Sequence, residues 1–464
     1  MRRTPLVLRV LLVVATMSAV LVPALWHPAR AITVPTTLAR SVTSSGPAEA
    51  AFSFPATHVA FSWTGDEGTG VRYRLVDEDG AGAWRRAVEA HDLEHGDHHY
   101  TGVVYVDRPQ SVEWEPVVPP GAEMGPVKLD YLNTLDGPRR RIEIPSIAAA
   151  TAEDPDVVTR AEWGADESIK RMTGACRRRF YPVQQLFVHH TVGANNDPHP
   201  KATMRAIYRY HTITRGWCDV GYNFVISPDG RIFEGRYSRA FAPWEIHDSE
   251  NQAGEAVQGA HVSGYNSGSV GVSLMGNYST TTMTPAMRAT LVNFLAWEAD
   301  RHNLAPRKRH TYRNPETGLV DEGLHVIAGH REAGQTECPG NTVWRNLDQI
   351  REAVRQRMVP EKAATVTTLR SLTPVSPAPG TAVRFVGRLT SRSGDPQPLR
   401  QISIHVKPKN RAWRDKAPVV TGPDGRFFFE LAPRRTVQVV AEFKGDAGLW
   451  GSQSRRVLQE VTKP

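Results

Sequence analysis

The chain has 464 residues, which corresponds to about three domains at roughly 150 residues each. Hydrophobic residues make up 40% of the chain and charged residues 22%, which excludes an intrinsically disordered protein and is typical of a soluble globular one. The net charge of +8 favours an anionic partner. Because Lys and Arg are scattered and no nucleic-acid-binding module is recognisable, nucleic acid is not the predicted partner.

Residues 1–31 are predicted to be an export signal. Arg2 and Arg3 give a positive start, an apolar run spans 10–26, and an A-x-A cleavage site lies at 29–31. The run is short for a transmembrane helix, so secretion is predicted, with an uncleaved N-terminal anchor as the alternative. No other long apolar stretch occurs, so no membrane contact is expected after signal cleavage.

Two linkers and an N-terminal β module are predicted next. Residues 32–51 are small and polar, and residues 145–158 are rich in Ala, Pro and acidic side chains, so both predict linkers. Between them, residues 52–144 contain short runs of branched and aromatic residues, which predict an all-β module, sandwich or jelly-roll-like. A polar segment of this module carries four histidines, for which a solvated loop is favoured over a metal site. These are His91, His95, His98 and His99.

The pattern changes to mixed α/β from residue 159 to residue 358. Predicted strands alternate with amphipathic helices, which indicates a mixed β-sheet flanked by helices. Thr284 is predicted to cap the longest helix, with Pro285 at its first position. The predicted strands are 185–190, 222–226, 231–234, 269–276 and 324–329, and the predicted helices are 201–215, 284–303 and 341–358.

The last predicted module covers residues 365–464. Its short strands are separated by Gly, Pro and Asp, and a turn at 421–427 divides two of them, so an Ig-like β-sandwich is predicted. The fold class is therefore multidomain, with a central α/β domain between an N-terminal all-β module and a C-terminal Ig-like sandwich.

Three fragments of the middle region can carry chemistry: FVHHT at 187–191, GWCDVGYNF at 216–224 and GHREAGQTECPG at 329–340. Two imidazoles from strand ends and one thiolate would form a zinc site of the catalytic type, with one position left open. Only three cysteines occur, so two can pair in an exported protein and one is left over. Metal ligation is a good reason for that third thiol to stay reduced.

From about residue 160 to residue 358, the chain resembles the family of peptidoglycan recognition proteins and type 2 N-acetylmuramoyl-L-alanine amidases. The resemblance rests on six motifs in the order and spacing of that family. They are RAEWGAD, FVHHT, YHTITRGWCDVGYNF, DGRIFEGR, GAHVSGYNSGSVGVSLMGNY and GHREAGQTECPG. The resemblance implies that the middle region is an amidase domain.

The resemblance also implies the roles of particular residues. His189, His330 and Cys338 match the zinc ligands of the family, and Tyr222 matches its catalytic Tyr. Thr336 occupies the position at which phage members carry a Lys, as it does in many recognition proteins that are active amidases. Thr336 is therefore expected to position water or the scissile carbonyl, and the proton donor to the leaving amine stays unassigned.

Other residues in these motifs are expected to support the site. His190 should point to the opposite face of its strand from His189, because adjacent strand residues alternate. Asp219 could orient its loop and His261 could line the groove; Asn266 and Arg331 also lie in family motifs. The resemblance further implies a disulfide between the two remaining cysteines, which are Cys176 and Cys218.

The predicted function is a secreted, wall-associated, zinc-dependent amidase. It would cut the bond between the lactyl group of N-acetylmuramic acid and L-alanine in peptidoglycan, and anionic wall polymers are a further predicted partner. A monomer is the default expectation. Three alternatives stay open: a non-catalytic peptidoglycan-binding recognition protein on the same fold, a surface or adhesion protein dominated by its β modules, and a zinc hydrolase with another substrate.

Overall fold

The computed structural model describes residues 26–27, 30–90, 97–144, 147–148, 155–241, 246–251, 253–358, 363, 365–373, 376–409, 411, 414–446 and 448–462. Most of the predicted export signal, together with His91 and His95, lies outside these residues. A search of the described helices for one long and apolar enough to cross a bilayer finds none.

Residues 30–144, where described, form strands and no helix. Two sheets enclose a core that includes Phe61, Val112 and Trp114, all 1% exposed or less. The strand order is β10-β5-β12-β3 in one sheet, with β9 on β5, and β4-β11-β6-β7 in the other, with β8 on β6. The module's assignment to a fold family stays a prediction. The strands of this part are β1 (Trp26–His27), β2 (Arg30–Pro35), β3 (Leu38–Ser44), β4 (Ala48–Ala51), β5 (His58–Thr64), β6 (Gly70–Asp77), β7 (Gly80–Ala81), β8 (Arg85–Arg86), β9 (His98–Tyr100), β10 (Val104–Tyr105), β11 (Ser111–Val117), β12 (Val127–Asn133), β13 (Arg139–Ile144) and β14 (Ile147–Ala148).

The prediction of a linker at 32–51 is wrong, because β2, β3 and β4 occupy most of it. These strands pair antiparallel with β13, β12 and β11, whose residues lie far along the chain. Val34 is buried at 6% exposure within this stretch. The run of Ser, Thr, Ala and Pro is locally loop-like, and only its distant partners make it extended.

The middle region is built on one six-stranded sheet in the order β15-β19-β18-β21-β17-β24. All neighbours run parallel except β18 and β19, which form a hairpin. Helices α3 and α5 pack on one face, and α1 and α2 pack on the other. The elements are β15 (Val157–Val158), α1 (Arg160–Trp163), β16 (Phe180–Tyr181), β17 (Gln185–His190), α2 (Pro200–Arg209), β18 (Phe224–Ile226), β19 (Ile232–Glu234), β20 (Ala256–Val257), β21 (Ser269–Leu274), α3 (Pro285–Arg301), β22 (Arg309–Arg313), β23 (Val320–His325), β24 (Ile327–Gly329), α4 (Asn341–Arg345) and α5 (Leu347–Arg357), with 3₁₀ turns at Gly174–Cys176 and His330–Glu332.

Local signals place most of these elements correctly. The Thr284 hydroxyl accepts a hydrogen bond from the Met287 amide at 3.1 Å and caps α3 as predicted. Other details differ from the predictions. The predicted strand 324–329 is divided between β23 and β24, which belong to different sheets. Helix α2 ends in a π-helical turn, Tyr210–Thr214, and the predicted helix 341–358 is divided at Asn346. The second predicted linker also ends earlier than residue 158, because β15 joins the sheet beside β19.

Helix α2 joins the middle region to the N-terminal module. Ala206 and Ile207 pack against Val103 and Leu132 of that module in one buried cluster. His58 Nε2 lies 2.8 Å from the Thr203 hydroxyl, and neither side chain is more than 3% exposed. The two parts therefore share a packed interface through this helix.

The C-terminal part contains two more sheets around a shared core. The first has the order β25-β26-β29, and the second has the order β28-β27-β30-β31, with β32 on β30. Phe385, Ile402 and Val439 lie between the sheets without solvent exposure. The Ig-like assignment stays a prediction. The strands are β25 (Thr365–Ser371), β26 (Val383–Ser391), β27 (Gln401–Pro408), β28 (Arg414–Val420), β29 (Arg426–Leu431), β30 (Val437–Gly445), β31 (Trp450–Gln453) and β32 (Val457–Gln459).

Candidate metal centre

Two neighbouring strands carry a histidine to the same end of the central sheet. In the parallel pair of β17 and β24, Val188 lies opposite Gly329. His189 follows the first of these residues and His330 follows the second, so both imidazoles arise at one level of the sheet. Their ring centroids are 4.8 Å apart, and their exposures are 0% and 4%. Parallel pairing thus brings together two residues that are far apart in sequence.

The third residue of the cluster, Cys338, reaches the two histidines from a loop. The Cys338 sulfur lies 3.5 Å from Nδ1 of His189. The loop is closed by the Arg331 amide, which donates to the Cys338 carbonyl at 3.0 Å. One potential ligand atom from each of His189, His330 and Cys338 lies within 4.8 Å of the others, and all three side chains are buried. The structure therefore brings the three predicted ligands together.

Burial keeps the His189 imidazole neutral. Desolvation, reinforced by the nearby His330 and His261 rings, holds the pKa of His189 well below its usual value. A neutral imidazole has a free lone pair on one ring nitrogen, which is the form that binds a metal ion. The chemistry of this donor set, two imidazoles and one thiol, fits Zn²⁺.

Tyr222 and Thr336, the two predicted catalytic residues, lie beside this cluster in different settings. The Tyr222 ring is 2% exposed, and its centroid is 5.4 Å from that of His189. The Thr336 hydroxyl accepts a hydrogen bond from the Cys338 amide at 3.0 Å. Thr336 therefore stabilises the loop that carries Cys338. Its contact with substrate stays a prediction.

Comparisons with known proteins cover this same region. The family model described as N-acetylmuramoyl-L-alanine amidase matches residues 179–341. Peptidoglycan-recognition protein SC2 of Drosophila simulans is 31% identical over 195 residues, which span 41% of this chain and 84% of that relative. The chain belongs to the family of peptidoglycan recognition proteins and N-acetylmuramoyl-L-alanine amidases. The middle region is its amidase domain, as the sequence motifs predicted.

Two further similarities show how far the match extends. The N-acetylmuramoyl-L-alanine amidase of Homo sapiens is 30% identical over 194 residues, which span 41% of this chain but only 27% of the human enzyme. The solved structure of wild-type Drosophila PGRP-LB is 25% identical and covers 42% of this chain and 93% of that one, with a TM-score of 0.31. The match to the human enzyme is confined to a region about the size of the amidase domain.

His190 and Asp219 take the supporting positions that the sequence predicted. Nδ1 of His190 accepts a hydrogen bond from the Tyr278 amide at 3.1 Å, and His190 is outside the group of potential ligands. Asp219 is 3% exposed and accepts hydrogen bonds from Arg160 Nη1 at 3.0 Å and from the Tyr237 amide at 2.9 Å. Asp219 thus orients the loop before Tyr222.

The disulfide is also present. Cys176 and Cys218 are bonded to each other, whereas Cys338 is a free, buried cysteine. The bond links the 3₁₀ turn that ends at Cys176 to the loop that contains Asp219. The leftover thiol is therefore the one that lies among the histidines.

His261 has a role that the sequence did not reveal. It was expected to line the groove, but its side chain is fully buried. Its Nδ1 lies 3.1 Å from Nε2 of His189, and burial lowers the pKa of His261 to about 3. Since Nε2 of His189 faces His261, Nδ1 of His189 is the nitrogen that faces the Cys338 sulfur. The two histidines are 72 positions apart, and only the spatial pairing of their elements could have shown this contact.

Proposed function

We propose that this protein is a zinc-dependent N-acetylmuramoyl-L-alanine amidase that hydrolyses the bond between the lactyl group of N-acetylmuramic acid and L-alanine in peptidoglycan. The observation that carries the proposal is the buried convergence of His189, His330 and Cys338 within 4.8 Å. Membership in the amidase family supports the substrate class.

The three residues fit the metal in number and in chemistry. Two imidazoles and one thiolate make a catalytic type of zinc site, in which a fourth position is open to water or substrate. Zinc held there would supply a Lewis acid that polarises the scissile carbonyl and activates water for attack. His261 would accept the Nε2 proton of His189, which fixes the tautomer that offers Nδ1 as the ligand atom.

Tyr222 is the residue best placed to assist the reaction. Its ring packs beside His189, so its hydroxyl would donate a hydrogen bond to the oxyanion that develops on the lactyl carbonyl. His211 supports this position, because its ring lies 5.7 Å from the Tyr222 ring and its Nδ1 accepts a hydrogen bond from the Gly221 amide at 3.2 Å. Thr336 would keep the Cys338 loop in place and orient the water or the carbonyl oxygen.

We also propose the cellular setting and the domain division of the chain. Residues 1–31 would direct export and be removed, so that the amidase acts outside the cell on the wall. The β modules on either side of the amidase domain, the second of them Ig-like, would serve for attachment or spacing rather than for chemistry.

Metal analysis and digestion of purified peptidoglycan test the proposal together. The wild-type protein should hold about one zinc per chain and release stem peptides that begin with L-alanine, while the glycan strands stay intact by mass spectrometry. Cys338→Ser should lose zinc and activity together. Tyr222→Phe should keep zinc and lose about 100-fold in turnover, and the exposed His98→Gln should change neither.

Two results would contradict the proposal. A Cys338→Ser variant that keeps full zinc but loses activity would remove Cys338 from the ligand set. Bound zinc with peptidoglycan that is retained but not cut would instead identify a recognition protein on the same fold.

A further inference from the structure

The positive charge of the chain is concentrated in its C-terminal part. Residues 365–464 contain 17 Lys and Arg but only 7 Asp and Glu, whereas the whole chain has a net charge of +8. The C-terminal part therefore has a net charge of +10, which exceeds the net charge of the whole chain. Such a charge distribution attracts a polyanion to one module rather than to the chain as a whole.

The solvent side of the sheet β25-β26-β29 carries four of these arginines. Arg384 pairs with Glu430 at 2.6 Å, and the other three lie close together. Arg388 on β26 lies directly opposite Arg426 on β29, and both side chains are exposed. Arg370 is exposed on β25, opposite Val386. We call the surface formed by Arg370, Val386, Arg388, Arg426 and Phe428 the arginine face.

The charges of the arginine face are poorly neutralised by the protein. Arg388 donates to the main-chain carbonyl of Asp424 at 3.0 Å, and the Asp424 carboxylate lies 3.5 Å from Arg426. Among the described residues, no acidic side chain pairs with Arg370 or Arg388. Like charges directly opposite each other on neighbouring strands are destabilising. An anionic partner would relieve this repulsion.

An exposed aromatic ring completes the arginine face. The Phe428 side chain is 62% exposed and lies opposite Val386 in the strand register. Arg370, Arg388, Arg426 and Phe428 line a shallow cavity of about 350 Å³ on this surface. Guanidinium groups match phosphate oxygens with two parallel hydrogen bonds, and an aromatic face can pack against the apolar side of a sugar ring.

We propose that the arginine face binds a phosphate-bearing glycopolymer of the bacterial cell wall, an inference that rests on the proposed function for its choice of partner. The amidase domain would then be held beside its peptidoglycan substrate by a separate contact. A wall polymer is favoured over nucleic acid because the same chain carries a domain of the amidase family.

Binding of soluble poly(glycerol phosphate) to the full chain tests the arginine face. Replacing two arginines with glutamine, R388Q/R426Q, should weaken the affinity at low salt about tenfold and reduce its salt dependence. Phe428→Thr should weaken binding to walls that carry the polymer, because the ring contact is lost. The matched control is R434Q/R435Q, which removes the same charge from exposed positions outside the face and should change affinity less than twofold.

Several outcomes would overturn the inference. Equal losses in R388Q/R426Q and R434Q/R435Q would mean that bulk charge alone drives binding. Wild-type affinity in the face variants would show that the arginine face does not bind the polymer. If the chain binds duplex DNA of equal charge more tightly than the polymer, and R388Q/R426Q abolishes that binding, the partner is nucleic acid rather than a wall polymer.

The two proposals fail in different measurements. Hydrolysis is scored on walls stripped of phosphodiester-linked polymer, where the face variants should release stem peptides at the wild-type rate. Binding to the soluble polymer needs no hydrolysis. Polymer binding without stem-peptide release would therefore overturn only the amidase proposal, and release without polymer binding would overturn only this one.

Discussion

A buried histidine at the end of helix α3 should make the amidase domain less stable as pH rises above neutrality. Nε2 of His302 lies 2.9 Å from a carboxylate oxygen of Glu250 and 3.2 Å from one of Glu298. Burial alone would lower the pKa of His302, but its close ion pairs with the two carboxylates raise it to about 9. The imidazolium is thus favoured by the fold.

The sign and size of the effect follow from this shift. Because the pKa of His302 in the folded protein lies above its unfolded value of 6.5, the stabilisation is complete below pH 6.5 and is lost as pH rises toward 9. A rise in the pKa of His302 from 6.5 to about 9 corresponds to about 3 kcal/mol of unfolding free energy. Glu298 has no exposed surface, so solvent does not screen the contact.

Denaturant unfolding followed by circular dichroism at 222 nm measures the effect. The described helices all lie in the amidase domain, so this signal reports that domain. The double variant Glu298→Gln/His302→Gln removes the buried charge pair and keeps Glu250 beside Arg301, whose Nη2 lies 2.6 Å from its carboxylate. The wild-type protein should lose about 3 kcal/mol more than the double variant between pH 6.5 and 9.5.

The difference between the two proteins is the decisive quantity. His99 and His247 also have raised pKa values, because Glu89 and Glu234 outweigh the opposing effect of burial. Those histidines act in the same direction in both proteins and cancel in the comparison. Equal pH dependence in the wild type and the double variant would show that His302 is not held as the imidazolium, and the reasoning would fail.

Three other predictions concern packing and the metal centre. Gly102→Ala should destabilise the protein by about 1–3 kcal/mol in thermal unfolding, because a Cβ there would lie 2.5 Å from a main-chain oxygen of the amidase domain. The control Gly46→Ala, which has open space around it, should leave the stability unchanged. His261→Gln should weaken zinc binding about 10–100-fold in competition with a chelator while the domain stays folded; unchanged affinity would contradict its tautomer-fixing role. Reduction of the bond between Cys176 and Cys218, which closes a loop of 42 positions, should lower the unfolding free energy by up to about 4 kcal/mol, and an unchanged denaturation midpoint would refute this.

The sequence predicted the parts of the centre that have local signatures. A buried apolar run that ends in His-His and a Gly-His-Arg after a strand mark His189 and His330, and Cys338 follows in a Cys-Pro-Gly turn. The resemblance to the amidase family joined these three residues into one predicted site. The capped helix α3 was predictable for the same reason, since Thr284 and Pro285 mark its start.

The features that the sequence did not predict depend on distant partners. The strands within 32–51 become extended only by pairing with β11, β12 and β13, so their composition alone indicates a loop. His261 contacts His189 because each lies beside β21 in the fold, and no spacing in the sequence encodes that proximity. Helix 341–358 divides at Asn346 although its hydrophobic period continues.

Helix α2 explains why the amidase domain is not an independent block of the chain. Met204 and Tyr208 pack into the amidase core, while Ile207 packs against the N-terminal module. Arg205, 8% exposed, donates from Nη1 to the Trp163 carbonyl at 2.7 Å and from Nη2 to the Thr134 carbonyl, in the N-terminal module, at 2.8 Å. Removing the N-terminal module by truncating the chain within the predicted linker at 145–158 would expose the apolar face of α2. The Arg205 guanidinium would then lose the Thr134 carbonyl as an acceptor. Because a buried cation that loses an acceptor costs more than an exposed one, the N-terminal module contributes to the stability of the helix that leads to Tyr222.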